Sequence, residues 1–227
     1  MRRKQIKQFT NMSWFPQNLK KLMAEFLSWF VLKVNASKPF IPVINKTLEQ
    51  TGMKKIIYID LQIGAGLDTV QPFIDKTIEI KCLDIKDFNT SDKGLYLFVN
   101  SFHQLSVEDA KSILKNISES KNPIVVVEGN NDSLWQIVGM TFFVPMTILF
   151  ASLFVKPFRF QRIIFTYLIP ILPIVTMIDG CIALLKLYNP SDLKELTSQL
   201  NNYTWEMGKN DNGRGGKIIY LTGINNE

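Results

Sequence analysis

Short apolar segments that alternate with helical segments constrain the fold of this 227-residue chain more than any other feature. Four of them are predicted strands: residues 56–61, 77–85, 95–102 and 122–130. The first is rich in β-branched and aromatic side chains, as buried strands are, and the fourth contains a continuous apolar run. Residues 67–74 and 106–120 have helical character, and Ser106 and Asp109 begin a capping box. Strands that alternate with helices predict right-handed crossovers and a parallel sheet.

The chain ends with a predicted β-hairpin. Residues 203–208 and 217–223 have strand character, and the segment between them is rich in Gly, Asn and Asp, which tolerate the unusual dihedral angles of turns. The sequence therefore predicts an α/β protein with a mostly parallel sheet and an antiparallel C-terminal hairpin.

The composition excludes several classes of protein. Cys82 and Cys181 are the two cysteines and His103 is the one histidine, so we expect neither a disulfide scaffold nor a metal site. The formal net charge is +6, but the basic residues form no nucleic-acid-binding motif. We therefore expect no nucleic-acid partner.

An amphipathic helix is predicted near the N-terminus, over residues 17–34, within an N-terminal helical segment of residues 1–50. This helix either packs on the domain or lies on a membrane surface, where Arg2, Arg3 and Lys4 would favour anionic lipid. Polar residues and a Trp-Phe-Pro sequence follow the basic N-terminus, so we predict no signal peptide and a cytoplasmic catalytic face.

A hydrophobic helical hairpin is predicted over residues 134–188, inserted into a core of residues 51–133 and 189–227. Residues 134–155 contain no charge and are long enough for a helix that crosses a bilayer. Residues 163–178 are also uncharged, and Asp179 follows them, so we expect Asp179 to pair with a nearby basic residue or to lie in the substrate pocket.

Membrane contact is the favoured interpretation of this hairpin. Two crossings would place Lys156, Arg159 and Arg162 outside, against the positive-inside rule. A hairpin that enters only the cytoplasmic leaflet lets these three cations meet lipid phosphates. We therefore expect a monotopic or hairpin-anchored protein on the cytoplasmic side of the membrane, with a two-span hairpin as the alternative.

Four polar residues lie at or just past the carboxyl ends of the predicted strands, where ligands bind in open α/β sheets: Asp60, Asp84, His103 and Glu128. After the first strand, Gly64 and Gly66 allow a tight turn and a close approach of the backbone to a ligand. A dinucleotide fingerprint would have a further glycine where Thr69 stands, which disfavours a nicotinamide cofactor.

This order of elements resembles the class I, Rossmann-like methyltransferases that use S-adenosylmethionine. Asp60, Gly64 and Gly66 match the first motif of the family, with Gln62 in place of its first glycine, and residues 100–105 resemble the segment after its fourth strand. The chain is more specifically similar to a bacterial subgroup with an apolar insertion after the fifth strand. The similarity includes Trp-Phe-Pro at 14–16, residues 157–162, Ile178-Asp179-Gly180 and the C-terminal hairpin.

The resemblance implies a three-layer sandwich, shortened here by one strand–helix unit, and S-adenosyl-L-methionine as cofactor. Asp84 would lie beside the adenosine, as either the ribose-binding or the adenine-binding acidic residue. The implied cofactor-binding residues are Asp60, Gln62, Gly64, Ala65, Gly66, Asp84, Ile85, Asn100 and Ser101.

His103 and Glu128 are the candidate catalytic residues. In-line transfer of a methyl group depends mainly on proximity and orientation, and a base is needed only if the acceptor loses a proton. His103 could be that base or a hydrogen-bonded histidine at the sheet edge, and Glu128 could orient the acceptor or simply end its strand. The sequence favours a methyltransferase for an apolar or lipid-like small molecule at the membrane; the alternative is a catalytically degenerate membrane-associated binding or scaffold protein.

Overall fold

A six-stranded mixed sheet organises the protein. The structure is a computed structural model that describes residues 6–61, 66–130, 133–213 and 215–226. The strands are β1 (Lys55–Asp60), β2 (Glu79–Asp84), β3 (Leu95–Val99), β4 (Ile124–Glu128), β5 (Tyr203–Asp211) and β6 (Lys217–Asn225). They lie in the order β2-β1-β3-β4-β6-β5, with β1 to β4 parallel and β6 antiparallel to both of its neighbours. The predicted α/β fold with an antiparallel C-terminal hairpin is confirmed.

Helices cover both faces of this sheet. In chain order they are α1 (Gln17–Lys33), α2 (Ile41–Thr51), α3 (Leu67–Val70), α4 (Val107–Glu119), α5 (Leu134–Ala151), α6 (Phe160–Ile163), α7 (Ile171–Lys186) and α8 (Pro190–Thr197). Along β1, Ile57 and Ile59 pack in a cluster with α4 and α8, while Ile56 and Tyr58 pack in a second cluster with α2. Burial on both faces explains the continuous apolar runs of the strands and gives the three-layer sandwich.

Compared with the sheet that the resemblance implies, this sheet lacks one strand–helix unit. Strand β2 lies at the edge, and the chain returns from it directly to β3. A loop of residues 85–94 makes this return in place of a helix and a strand. The hydroxyl of Tyr96 in β3 donates to the carbonyls of Asn89 and Asp92 at 3.1 and 3.2 Å, and the Asn122 amide donates to the Asp92 carbonyl at 3.2 Å. These bonds hold the short connection against the sheet.

The apolar hairpin consists of α5 packed on α7. Between them, α6 continues as a π-helical turn, Ile164–Leu168, and this bent segment meets α7 at 80°. Among the described residues, α5 is the one helix that is long and apolar enough by itself to cross a membrane, with a mean hydropathy of 1.7 and 6% of the span buried. The bent segment and α7 satisfy that criterion only when counted as one span.

The predicted amphipathic helix is confirmed as α1, which packs within the protein. Leu19, Leu22 and Phe26 of α1 form a third apolar cluster with residues of the hairpin, including Ile148 and Leu172. Arg2, Arg3 and Lys4, which we proposed as lipid-binding cations, lie outside the described residues.

Two of the three cations between α5 and α7 bind a carboxylate of the protein, and the expectation that they meet lipid phosphates is wrong for the buried Arg162. Arg162 is 1% exposed and its Nη2 lies 2.6 Å from Oε2 of Glu25, while Arg159 Nη2 lies 2.6 Å from Oε1 of Glu25. Arg162 also donates to the carbonyls of Val155 and Pro157. The carboxylate that binds them lies on α1, more than 130 positions earlier, which no local pattern in the sequence indicates.

The expectation for Asp179 is also wrong. Its carboxylate accepts hydrogen bonds from the backbone N–H of Phe9 at 2.7 Å, from the N–H of Thr10 at 3.0 Å and from the Thr10 hydroxyl at 2.8 Å. Its backbone carbonyl accepts from the Gln8 amide at 2.9 Å. Asp179 therefore anchors an N-terminal strap, which we define as residues 8–12, to the hairpin.

The C-terminal hairpin is longer than its apolar pattern predicts. Lys209, Asn210 and Asp211 continue β5 and pair with Ile219, Ile218 and Lys217 of β6. Backbone hydrogen bonds with the neighbouring strand extend the pairing through residues that have low strand propensity by themselves.

Candidate functional site

The acidic residues that end β1 and β2 lie side by side. Asp60 and Asp84 are directly paired in the parallel register of these strands and both are partly buried. One carboxylate oxygen of Asp84 accepts from the N–H of Lys86 at 2.9 Å, which fixes the turn that follows β2. The structure therefore brings these two predicted residues together at the carboxyl edge of the sheet.

Most of the glycine turn lies outside the described residues, including the predicted Gln62, Gly64 and Ala65. Gly66, the last residue of this turn, is described and is the N-cap residue of α3. Thr69, where a dinucleotide fingerprint would have glycine, is buried; its hydroxyl donates to the Gly66 carbonyl at 2.7 Å and accepts from the Ser37 hydroxyl. A side chain thus fills the position at which that motif needs a bare backbone.

A hydrogen bond connects the residues that follow β3 to those that follow β4. Asn100 has a φ of 50°, in the left-handed region that asparagine tolerates, and its side-chain oxygen accepts from the N–H of Gly129 at 2.7 Å. A Cβ at Gly129 would lie 3.1 Å from that oxygen, so glycine suits this close approach. The Ser101 hydroxyl beside it is buried and has no hydrogen-bond partner among the described residues. An orphaned buried hydroxyl is costly, which makes Ser101 a candidate ligand-binding residue.

The two predicted catalytic residues bind each other. Glu128, at the end of β4, accepts from the backbone N–H of His103 at 3.0 Å through Oε1, and its Oε2 lies 3.0 Å from Nδ1 of the same residue. Both residues are buried, at 7% exposure for His103 and 4% for Glu128. This double contact holds the imidazole in one orientation at the carboxyl edge of the sheet.

Sequence reasoning missed Gln104, which organises the other side of the imidazole. Its amide nitrogen lies 2.7 Å from Nε2 of His103 and also donates to the side chain of Gln8. Its oxygen accepts from the Asn11 amide at 2.7 Å and from the Lys186 ammonium at 2.9 Å. The four bonds are mutually consistent only if His103 carries its proton on Nδ1, facing Glu128, and accepts on Nε2. Gln104 stands next to His103 in the predicted segment 100–105, but no pattern indicates partners as distant as these.

A groove of about 520 Å³ opens beside these strand ends, between the segment after β2 and helix α4. Its apolar lining includes Leu61, Ile85 and Leu105, each just past the end of a strand or the turn that follows it. The remaining lining residues are Asn11, Lys86, Phe88, Gln104, Asp109, Ser112, Ile113 and Asn116. This volume lies in the range of small-molecule sites, and the groove combines five apolar side chains with six polar or charged ones.

The described residues fit the adenosine half of S-adenosylmethionine. A nucleoside needs an acceptor for its ribose hydroxyls, and flat apolar contacts for its base. Asp84 is an acceptor at the edge of the sheet, and Leu61, Ile85 and Leu105 line the adjoining groove. The residues that would face the methionine half include the glycine turn, most of which is outside the described ranges. No group of three or more potential metal ligands occurs in the described part of the chain.

Comparisons with known proteins identify no family. A scan against protein-family models gave no match. A search of curated proteins also found no match. One solved structure with a similar fold, "Crystal Structure of Putative Zn-dependent Alcohol Dehydrogenases from Rhodobacter sphaeroides", aligns over 98% of this chain and 100% of its own, with 11% identity and a TM-score of 0.45. A likeness this distant gives no information about activity.

Proposed function

We propose that this protein is an S-adenosylmethionine-dependent methyltransferase that acts on an apolar or lipid-like small molecule at the cytoplasmic face of a membrane. The main support is the position of Asp60 and Asp84, paired at the carboxyl edge of the sheet, next to Leu61 and Ile85, which line the groove. Ligands of open α/β sheets bind at this edge. A parallel sheet with a reversed last strand is the arrangement that the resemblance to class I methyltransferases implies.

Four described residues would hold the adenosine. Asp84 would accept from the ribose hydroxyls, while Ile85 and Leu105 would contact the base on its apolar faces. The buried Ser101 hydroxyl has hydrogen-bonding capacity that no described residue uses. When bound, the cofactor supplies an electrophilic methyl group on a sulfonium, so the chain needs chiefly to align an acceptor with that group.

The His103–Glu128 pair would receive the proton of an acceptor that must lose one. Nε2 of His103 is the accepting nitrogen of the imidazole, and Glu128 beside Nδ1 would stabilise the imidazolium that forms. The amide of Gln104 occupies Nε2 in this structure. An acceptor would therefore have to displace Gln104, and with it the contacts of Gln104 to the N-terminal strap.

An apolar acceptor is supported by the surroundings of the site. Helix α5 begins six residues after Glu128, and its first two residues, Leu134 and Trp135, are 78% and 82% exposed. Exposed apolar side chains then continue along α5, so a lipid-like molecule could move from a membrane towards the strand ends along an apolar surface. A polar acceptor would gain nothing from this surface.

A degenerate binding or scaffold protein is the second candidate. It is supported by the missing strand–helix unit, which leaves β2 at the edge of the sheet, and by the full occupation of Nε2 of His103. Such a protein would keep the membrane contact and the fold but would not transfer methyl groups.

The experiment is a transfer assay with methyl-labelled S-adenosylmethionine and a lipid extract of membranes. We expect label in the organic phase with the native protein, and at least tenfold less with Asp84→Ala, because a hydrogen bond to a charged group contributes about 1.5–3 kcal/mol. Asp87→Ala is the matched control, since Asp87 is an exposed carboxylate three residues further on, and its activity should stay within twofold of native. A native protein that binds S-adenosylmethionine but transfers no label would favour the degenerate binding or scaffold protein.

A further inference from the structure

The outer face of α5 is a continuous exposed apolar surface. Trp135, Val138, Phe142, Met146 and Phe150 recur at spacings of three and four residues and are 82%, 45%, 67%, 53% and 75% exposed. At 1.5 Å per residue, this face extends for about 22 Å. Monomeric proteins rarely leave an apolar face of this size in water, so a partner is expected to cover it.

The opposite face of α5 contacts the rest of the protein, so the exposed face is a property of the folded hairpin. Ile137 and Met140 of α5 pack against the main core cluster. A Cβ at Gly180 of α7 would lie only 2.5 Å from the sulfur of Met140, so the two helices approach closely at this glycine. Rotation of α5 to hide its aromatic side chains would break this contact.

The apolar surface continues around the tip of the hairpin, the segment between α5 and α7. Phe154, Phe158 and Phe160 are 68%, 65% and 70% exposed, and Leu168 at the end of the bent segment is 77% exposed. Lys156 stands among these residues and is also exposed. Aromatic side chains beside an ammonium group are suited to the boundary between acyl chains and lipid headgroups.

Helix α1 connects the tip of the hairpin to the core. Near its middle, Glu25 binds Arg159 and Arg162 of the tip. Helix α1 also contacts α3, and beyond its end the Ser37 hydroxyl donates to Thr69 of α3. The tip is therefore not a free end that can move away from the sheet.

This connection disfavours two membrane crossings. Ile148 of α5, which packs on α1, lies about 21 Å from the start of its helix at 1.5 Å per residue. A hairpin that spans would carry α1 to that depth with Lys20 and Lys21, at a cost of about 2.5–3.5 kcal/mol for each lysine near the bilayer centre.

We infer that the outer face of α5 and the aromatic tip form a docking surface for one leaflet of an anionic lipid bilayer. The exposed aromatic side chains enter the boundary of acyl chains and headgroups, while Lys156 of the tip and Lys21, whose charge acts on Glu25, meet lipid phosphates; both lysines are exposed. The inference rests on the membrane part of the proposed function and not on its chemistry. Vesicle binding and cofactor binding can therefore fail independently.

The first test is partition into vesicles by the full chain purified without detergent. We expect binding to vesicles of phosphatidylcholine mixed with phosphatidylglycerol, and weaker binding to phosphatidylcholine alone. Trp135→Gln with Phe142→Gln should reduce partition at least tenfold, since burial of one large apolar side chain contributes about 1.5–3 kcal/mol. Both side chains are exposed, so the variant should have the same unfolding temperature as the native protein.

Two lysine substitutions distinguish a local attraction between the tip and anionic lipid from an effect of the protein's net charge. Lys156→Gln in the tip should weaken binding to the anionic vesicles. Lys111→Gln removes the same charge from an exposed position on α4, which is not part of the docking surface, and should leave binding unchanged. If the native protein binds neither type of vesicle, the inference is overturned. A stable dimer that buries the Trp135 face and ignores vesicles would also overturn it, because the partner would be a second copy.

The second test distinguishes one leaflet from two crossings. In a chain with Cys82→Ser and Cys181→Ala, Lys156→Cys is produced in a bacterial host, and spheroplasts are treated with a membrane-impermeant maleimide. We expect labelling only after lysis, as for the control Lys115→Cys on the core helix α4. Labelling of position 156 in intact spheroplasts would establish two crossings and overturn the one-leaflet arrangement.

Discussion

Replacement of Glu25 by alanine is expected to destabilise the protein by about 3 kcal/mol, because it leaves the buried guanidinium of Arg162 without its carboxylate. Arg162 is 1% exposed and keeps only the carbonyls of Val155 and Pro157 as partners among the described residues. Chemical denaturation, followed by circular dichroism in a mild detergent, measures the loss. Glu119→Ala removes the exposed partner of Lys115 on α4 and should cost less than about 0.5 kcal/mol.

A double substitution tests the cause of this loss. Glu25→Leu with Arg162→Met replaces both charges with apolar side chains of similar size and should recover most of the stability, since no charge remains buried without a partner. Equal destabilisation by the double and the single variant would show that packing at α1, and not the ion pair, carries the energy.

The ion pairs of Glu25 with Arg159 and Arg162 make the attachment of α1 sensitive to acid. Burial alone would raise the pKa of Glu25, but the hydrogen bond from Arg159 and the charges of Arg159 and Arg162 outweigh it and hold the pKa below its ordinary value. The unfolded chain therefore binds this proton at higher pH than the folded chain does. The contribution of Glu25 is complete above its ordinary pKa and is lost as the pH falls through the lowered one. Stability measured across that window should fall less steeply in the double variant.

Removal of the Asp179 carboxylate is expected to release the N-terminal strap. The carboxylate accepts three hydrogen bonds from Phe9 and Thr10, and hydrogen bonds to a charged group contribute about 1.5–3 kcal/mol each, although such contributions are not additive. For Asp179→Ala we expect a loss of about 3 kcal/mol in local stability. Amide hydrogen exchange should show this as roughly a hundredfold loss of protection at Phe9 and Thr10.

Asp75→Ala is the control for this experiment. Asp75 accepts from the N–H of Thr77 in an exposed loop and should leave exchange in the strap unchanged. Unchanged protection of Phe9 and Thr10 in Asp179→Ala would mean that the other contacts hold the strap: those of Gln104 with Gln8 and Asn11, and the bond from Gln8 to the backbone carbonyl of residue 179.

The sheet could be predicted because local pattern determines it. The strands β1, β3 and β4 are continuous apolar runs and are buried, whereas β2 is an exposed edge strand recognised by its β-branched residues. The predicted N-cap of α4 is present, with the Ser106 hydroxyl accepting from the N–H of Asp109 at 3.0 Å. The convergence of Asp60, Asp84, His103 and Glu128 at one edge follows from parallel topology alone. The direct contact between His103 and Glu128 does not, because side-chain partners depend on how two loops pack after the strands end.

The polar contacts that join distant segments could not be predicted. Glu25 and Arg162 are 137 positions apart, and Gln8 and Gln104 are 96 apart. Charge pattern suggested that the cations of the hairpin face lipid, since a single sequence shows the excess of positive charge but not the carboxylate that folds back onto it. Asp179 was misread for a similar reason, because its partners are mainly backbone N–H groups, which leave no trace in a sequence pattern.

The most direct test of the account is calorimetric titration of the native protein with S-adenosylhomocysteine, the demethylated product of the cofactor. The central claim is that a sheet without one strand–helix unit still holds adenosine at Asp84 and in the adjoining groove. We expect one molecule bound per chain with micromolar affinity, and at least a tenfold loss of affinity in Asp84→Ala but not in Asp87→Ala. A native protein that shows no binding at millimolar ligand, while remaining folded, would contradict the claim.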